Sequence, residues 1–102
     1  MYEFAKKQNF RCAICNGRMN HNWNEKGSNY LYHTIDHILP ISKGGRHNYK
    51  NIQIVHFLCN MVKGTGKNIK LNIPADNFLY MNGNNINEED ELIIEYKKYI
   101  VI

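Results

Sequence analysis

The chain of 102 residues has the size of one ordinary domain, and its 43% hydrophobic and 22% charged residues are typical of a folded globular protein and exclude a disordered tail. No stretch approaches the roughly 18 apolar residues of a membrane span, and the amino end lacks the apolar core of a secretory signal, so we expect no membrane partner and an intracellular, cytoplasmic location. The net charge of +4 is the sum of +8 in residues 1–75 and −4 in residues 76–102, so the basic part is either a surface for a polyanion such as nucleic acid or a solvated face.

The first predicted element is a strand over residues 30–39. These residues are rich in aromatic and β-branched types, and the pattern stops at Pro40. A polar loop rich in Asn and Gly, over residues 16–29, precedes this strand. Gly44-Gly45 marks a turn after it.

A second strand and a short helix are predicted next. Residues 51–55 are a short strand candidate, and residues 57–63 can form a helix that ends at Gly64. The order strand, loop, strand, helix predicts an α+β fold with a core over about residues 10–64. We expect one domain over residues 1–102.

The carboxy-terminal extension, residues 65–102, is predicted to end in a helix. Its first part is less regular, with an alternation of apolar and polar residues around Leu71 that fits a strand or an extended arm. Pro74 and Asn82-Gly83 interrupt the chain there. Asn87 can cap a helix whose first turn is acidic. An apolar face for core packing or for a partner then follows at helical spacing: Leu92, Ile93, Tyr96, Tyr99 and Ile100.

The three cysteines are too few for two disulfides and are better explained as metal ligands. Cys12 and Cys15 have the spacing of a zinc knuckle, and His56 and Cys59 repeat that spacing some forty residues later. Together they form a Cys3His set, which suits a tetrahedral structural Zn²⁺. The alternatives are buried cysteines that act as small hydrophobic residues, or a thiol redox pair of Cys12 and Cys15.

Several short motifs lie between and around the two pairs of ligands. In chain order they are Asp36-His37-Ile38-Leu39-Pro40, Gly44-Gly45, Asn51-Ile52-Gln53 and Cys59-Asn60-Met61-Val62-Lys63. From Cys12 to about Gly64, this combination resembles the HNH endonucleases. The resemblance implies a ββα-metal core with a structural zinc knuckle, to which the carboxy-terminal helix is added.

The resemblance also implies roles for four residues. Asp36 and Asn60 would bind the catalytic divalent ion, His37 would activate water as general base, and Asn51 would orient His37. Because Asp and Asn offer only oxygen ligands, they favour Mg²⁺ or Mn²⁺. The position of Asn60, directly after the last zinc cysteine, is similar to that in phage junction-resolving endonucleases.

Basic side chains near this centre are candidates for contacts with the DNA backbone. They are Lys43, Arg46, Lys50, Lys63 and Lys67. Three further histidines match no motif and are interpreted as loop or surface residues. These are His21, His33 and His47.

The motifs together predict a metal-dependent endonuclease that hydrolyses phosphodiester bonds in double-stranded or branched DNA. A homodimer or a partner protein would supply further specificity. The alternative is a catalytically silent module, stabilised by zinc, that binds nucleic acid or a protein.

Overall fold

The computed structural model describes residues 2–19, 29–82, 86 and 88–102. Three predictions fall wholly or largely on other residues: the loop over residues 16–29, the Asn87 cap, and the surface position of His21. The helices are α1 (Tyr2–Lys7), α2 (Phe57–Lys63), α3 (Ala75–Asn82) and α4 (Glu89–Lys97), and the strands are β1 (His33–His37) and β2 (Ile52–His56). No helix in the described part of the chain is long and apolar enough to cross a membrane.

Strands β1 and β2 form an antiparallel hairpin. Its register pairs His33 with His56 and His37 with Ile52. Strand β1 is shorter than the predicted strand over residues 30–39, because the segments next to it form single 3-10 turns at Asn29–Leu31 and Ile41–Lys43, whereas β2 has the predicted length and begins one residue later. The hairpin places residues 34 and 36 on the face that α2 covers.

Helix α2 follows β2 without a connecting loop. Gly64 ends the helix: it has a φ of 58°, which is easily adopted only by a residue without a side chain, and its N–H donates to the carbonyl of Asn60. The predicted order of strand, loop, strand and helix is therefore confirmed, and the fold is α+β with a ββα core.

The arm after α2 is extended, as one of the two predicted alternatives had it. Leu71 forms an isolated antiparallel bridge with Ile100, and its N–H donates to the carbonyl of Ile14. Helix α3 was not predicted. Pro74 lies directly before its first residue, a place that proline tolerates because the first helical turn needs no N–H bond, and Phe78 is its buried anchor.

Helix α4 packs on α2 and closes the core. Of its predicted apolar face, Leu92 and Tyr96 are buried, whereas Ile100 lies beyond the helix and is partly exposed. The ring of Tyr96 stacks on Phe78, with centroids 4.2 Å apart and planes 13° apart. The extension therefore shares one hydrophobic core with the amino-terminal part.

Candidate metal centre and active site

Four buried side chains meet beneath the hairpin. Cys12 and Cys15 lie in the turn after α1, His56 is the last residue of β2, and Cys59 lies in the first turn of α2. Their ligand atoms all lie within 4.8 Å of one another. In a tetrahedral zinc site these atoms are about 3.3 to 3.8 Å apart. The structure thus confirms the predicted Cys/His cluster, with the size and donor chemistry of a structural zinc site.

The orientation of His56 fits this role. Its Nδ1 lies 3.2 Å from the Cys15 sulfur and 3.9 Å from the Cys59 sulfur. Its other nitrogen, Nε2, lies 2.7 Å from the carbonyl of Arg18, to which it donates its hydrogen when Nδ1 binds a metal. A fixed partner for the second nitrogen is the usual arrangement of a metal-binding histidine. The motifs do not point to Arg18, because a backbone carbonyl can belong to any residue type.

Backbone N–H groups surround the sulfurs. The Cys12 sulfur accepts from the N–H groups of Ile14 and His56, both at 3.4 Å. The Cys15 sulfur accepts from Gly17 at 3.3 Å and from Ala75 at 3.4 Å. Such donors favour the thiolate form that binds metal.

Gly17 lies in a tight space beside the cluster. A Cβ at this position would lie 3.1 Å from the Pro74 side chain and 3.2 Å from both the Cys15 sulfur and the His56 ring. An added side chain would therefore require these neighbours to shift by a small amount.

The close contact of the four side chains changes the pKa values of Cys15 and His56. Hydrogen bonds from Cys12 and Cys59, together with the nearby His56, lower the pKa of Cys15 far below its ordinary value. Burial lowers the pKa of His56, but hydrogen bonds and charge at Cys12 and Cys15 outweigh burial and raise that pKa to about 10. Without a metal, a proton therefore stays on His56 at neutral pH. A bound metal must displace it.

Asp36 lies on β1, opposite Gln53 of β2, and is only 5% exposed. Its Oδ1 is 3.2 Å from the ammonium of Lys63, and its Oδ2 accepts from the Gln53 amide at 2.9 Å. Lys63 also donates to the carbonyl of His37, at 2.9 Å. The structure corrects the expectation that Lys63 contacts DNA at the surface: it lies in the last turn of α2, 6% exposed, where it neutralises a buried carboxylate.

His37 is half-buried at the end of β1. Its Nε2 lies 2.9 Å from Nδ1 of His47, and the two ring centroids are 5.1 Å apart. The resemblance predicts that Asn51 orients this imidazole, but none of the hydrogen bonds of its side chain reaches the ring. Instead, the side-chain oxygen of Asn51 accepts from the Leu39 N–H at 2.8 Å, and its amide donates to the carbonyls of Leu39 and Arg46.

Asn60 is half-buried on the side of α2 that faces β1. Its amide donates to the Thr34 hydroxyl at 3.3 Å. Thr34 and Asp36 are two residues apart and so share one face of β1. Asn60 and Asp36 therefore lie on facing elements, and Lys63 rather than Asn60 makes the direct contact with Asp36.

The other candidate cations are exposed, as expected for contacts with a polyanion. They are Lys43, Arg46, Lys50 and Lys67. Tyr49 lies in the same loop as Arg46 and Lys50. It is 80% exposed and stacks on Phe4, with ring centroids 5.6 Å apart. His33 is half-buried in β1 rather than in a loop, and its ring stacks on Tyr32.

Comparison with known proteins identifies one family. A family model described as HNH endonuclease matches residues 12–66, slightly more than half of the chain. The match contains the Cys/His cluster, the hairpin and α2. No curated protein and no solved structure shows significant similarity to the chain.

Proposed function

We propose, from the premise that this chain belongs to the HNH endonuclease family, that it is a metal-dependent endonuclease that hydrolyses phosphodiester bonds in DNA. The observation that carries the proposal is the placement of His37. It lies at the end of β1, partly accessible, directly after the buried carboxylate of Asp36 and opposite the helix that carries Asn60. The proposed base therefore directly follows one proposed oxygen ligand on β1, and the helix that packs on this strand carries the other.

His37 acts as the general base. Its contact with His47 uses Nε2, which leaves Nδ1 as the nitrogen that takes a proton from water. A positioned base of this kind contributes a rate factor of about 10² to 10⁴.

Asp36 and Asn60 would hold the divalent ion. An ionised carboxylate has about four acceptor positions, and Lys63 and Gln53 use one oxygen each. The remaining positions and the Asn60 side-chain oxygen form a hard oxygen donor set, which fits Mg²⁺ or Mn²⁺. When bound, such an ion stabilises negative charge on the phosphate and on the leaving oxygen.

The exposed cations would bind the phosphates that flank the cleaved bond. Lys43 ends the 3-10 turn at residues 41–43, and Arg46 and Lys50 lie between this turn and β2. Their charges make the loop between the strands attractive to a polyanion.

A silent binding module stabilised by zinc is the second candidate. One observation favours it: the Asp36 carboxylate is buried and already neutralised by Lys63. In a module of this kind the Asp36–Lys63 pair would be structural only. DNA binding without cleavage would then be the whole activity.

Plasmid cleavage separates the two candidates. Zinc-loaded protein is incubated with supercoiled plasmid, linear duplex and a four-way junction, in Mg²⁺, in Mn²⁺ and without added divalent ion. We expect cleavage that needs the divalent ion and is lost in the His37→Ala variant, whose zinc content and circular dichroism match those of the parent. Preferential cleavage of the junction would support a junction-resolving enzyme. Binding of all substrates without cleavage would favour the silent module.

A further inference from the structure

The contact between His37 and His47 is a feature that neither the motifs nor the family match assigns. We infer that His47 is a positioning residue that fixes the tautomer of His37, and that Asn51 acts on His37 through His47. This inference rests on the proposed function of His37 as general base.

The hydrogen bond between the rings admits one proton. Nε2 of His37 and Nδ1 of His47 are 2.9 Å apart, so one of these two nitrogens carries a hydrogen and the other accepts it. If the hydrogen is on Nε2 of His37, then Nδ1 of His37 is bare and can accept a proton from water. If His47 donates instead, the neutral His37 carries its hydrogen on Nδ1 and cannot act as base there. The bond therefore supports catalysis only when His47 is the acceptor.

His47 is suited to be the acceptor. It is exposed, so its Nε2–H can donate to water while its Nδ1 accepts from His37. It occupies the place that an orienting carboxylate or carbonyl occupies beside other catalytic histidines. Asn51 does not make this contact.

Asn51 holds the loop that carries His47. Its amide donates to the carbonyl of Arg46, the residue directly before His47, and to the carbonyl of Leu39 on the other side of the loop. Its oxygen accepts from the Leu39 N–H. Three bonds from one side chain thus close residues 39–46 into a ring and set where residue 47 begins.

Gly45 allows this closure. A Cβ at residue 45 would lie 1.8 Å from the Leu39 oxygen and 2.8 Å from the Asn51 amide nitrogen. Only a residue without a side chain lets the two parts of the loop approach so closely. Gly45 and Asn51 together therefore set the position of His47, and His47 contacts Nε2 of His37.

Single-turnover cleavage in Mg²⁺ and DNA affinity in Ca²⁺ test the inference on the zinc-loaded protein. In His47→Ala we expect kcat to fall about 10- to 100-fold, the range for the loss of a residue that orients a functional histidine, with unchanged Kd for DNA. His47→Asn restores most of kcat, because the asparagine oxygen stands near the position of Nδ1. Asn51→Ala combined with His47→Ala costs little more than either alone, since both act through one contact. The matched control, His33→Ala, cleaves like the parent.

Nitrogen NMR of the His37 ring gives a readout that does not need cleavage. We expect an unprotonated Nδ1 in the parent and in His47→Asn, and a mixture of tautomers in His47→Ala. If this pattern appears but the parent cuts no DNA, the proposed nuclease fails and the tautomer inference stands. Unchanged kcat and unchanged tautomer in His47→Ala would overturn the inference. So would a loss as large as that of His37→Ala without rescue by asparagine, because His47 would then be the base itself.

Discussion

The buried pair of Asp36 and Lys63 sets the character of the site at the scale of residues. Their side chains are 6% and 1% exposed, and their charged atoms lie 3.2 Å apart. A buried pair of this kind adds little net stability compared with an apolar pair, but removal of one partner leaves the other charge uncompensated. Lys63 therefore supplies the counter-charge of the Asp36 carboxylate inside the protein.

Substitution of Lys63 tests this role. We expect Lys63→Ala to lower the free energy of unfolding by about 3 to 5 kcal/mol, because Asp36 loses its counter-ion. The measurement is urea unfolding of the zinc-loaded protein. Lys67→Ala, which removes an exposed lysine near the end of α2, is the matched control and should change stability by less than about 0.5 kcal/mol. Equal, small effects of both substitutions would show that the pair contributes nothing.

The loop between the strands is the element that carries His47, the residue proposed to orient His37. Its closure depends on the Asn51 bonds and on the absence of a side chain at residue 45. It also carries three exposed cations and Tyr49. A change in its closure should therefore affect catalysis more than it affects the fold.

Gly45→Ala is the sharpest test of this element. We expect nearly complete loss of cleavage, because the new Cβ overlaps the Leu39 carbonyl and must open the loop. The zinc content should not change, since the cluster lies elsewhere. Gly66→Ala is the control, because its Cβ would meet only the Lys63 carbonyl at 3.4 Å, an ordinary contact. Parental cleavage rates in Gly45→Ala would show that loop closure is unnecessary.

Elements whose signal is local were predictable from the sequence, and those that depend on tertiary contacts were not. The two pairs of ligands have fixed spacings, and helix α2 has an apolar face and a terminal glycine, so both could be predicted. Helix α3 is short and follows a proline, and its formation depends on the packing of Phe78 against Tyr96. The same reason explains why the contacts of His47 and Lys63 could not be predicted from the sequence. Their partners lie ten and 27 residues away, at distances that only the folded hairpin defines.

At the scale of the whole molecule, the carboxy-terminal extension packs over the Cys/His cluster. Two residues of the extension contact it. The Ala75 N–H donates to the Cys15 sulfur. Burial, and then charge at Cys59 and Cys15, raise the pKa of the Tyr96 hydroxyl. That hydroxyl donates to the carbonyl of Ile73 at 2.6 Å. The arm, α3 and α4 therefore cover the centre that the family match contains.

Tyr96→Phe measures what this cover contributes. The Ile73 carbonyl loses its donor, so we expect a loss of about 1 to 3 kcal/mol in unfolding free energy. Thermal unfolding followed by circular dichroism is the measurement. Tyr80→Phe, at a tyrosine that is 90% exposed, should leave the midpoint unchanged. A midpoint equal to that of the parent in Tyr96→Phe would mean that the bond is dispensable.

The affinity for zinc should depend on pH. In the metal-free protein the pKa of His56 is about 10, above its ordinary 6.5, so His56 is protonated at neutral pH and zinc must displace that proton. The raised pKa stabilises the metal-free fold below pH 6.5, and that stabilisation is lost as the pH rises towards 10. Apparent zinc affinity should thus increase as the pH is raised from 6.5. Competition titration with a chelator at several pH values measures it, and an affinity independent of pH would contradict the assignment.

Chemical rescue tests the role of His37 most directly. The zinc-loaded His37→Gly variant is given supercoiled plasmid and Mg²⁺, with and without added imidazole, beside the parent protein. We predict that the variant alone does not nick the plasmid, and that imidazole restores nicking in proportion to its concentration, because a free base enters the space of the missing ring. Nicking by the variant without imidazole at the parental rate would contradict the role of His37 as general base.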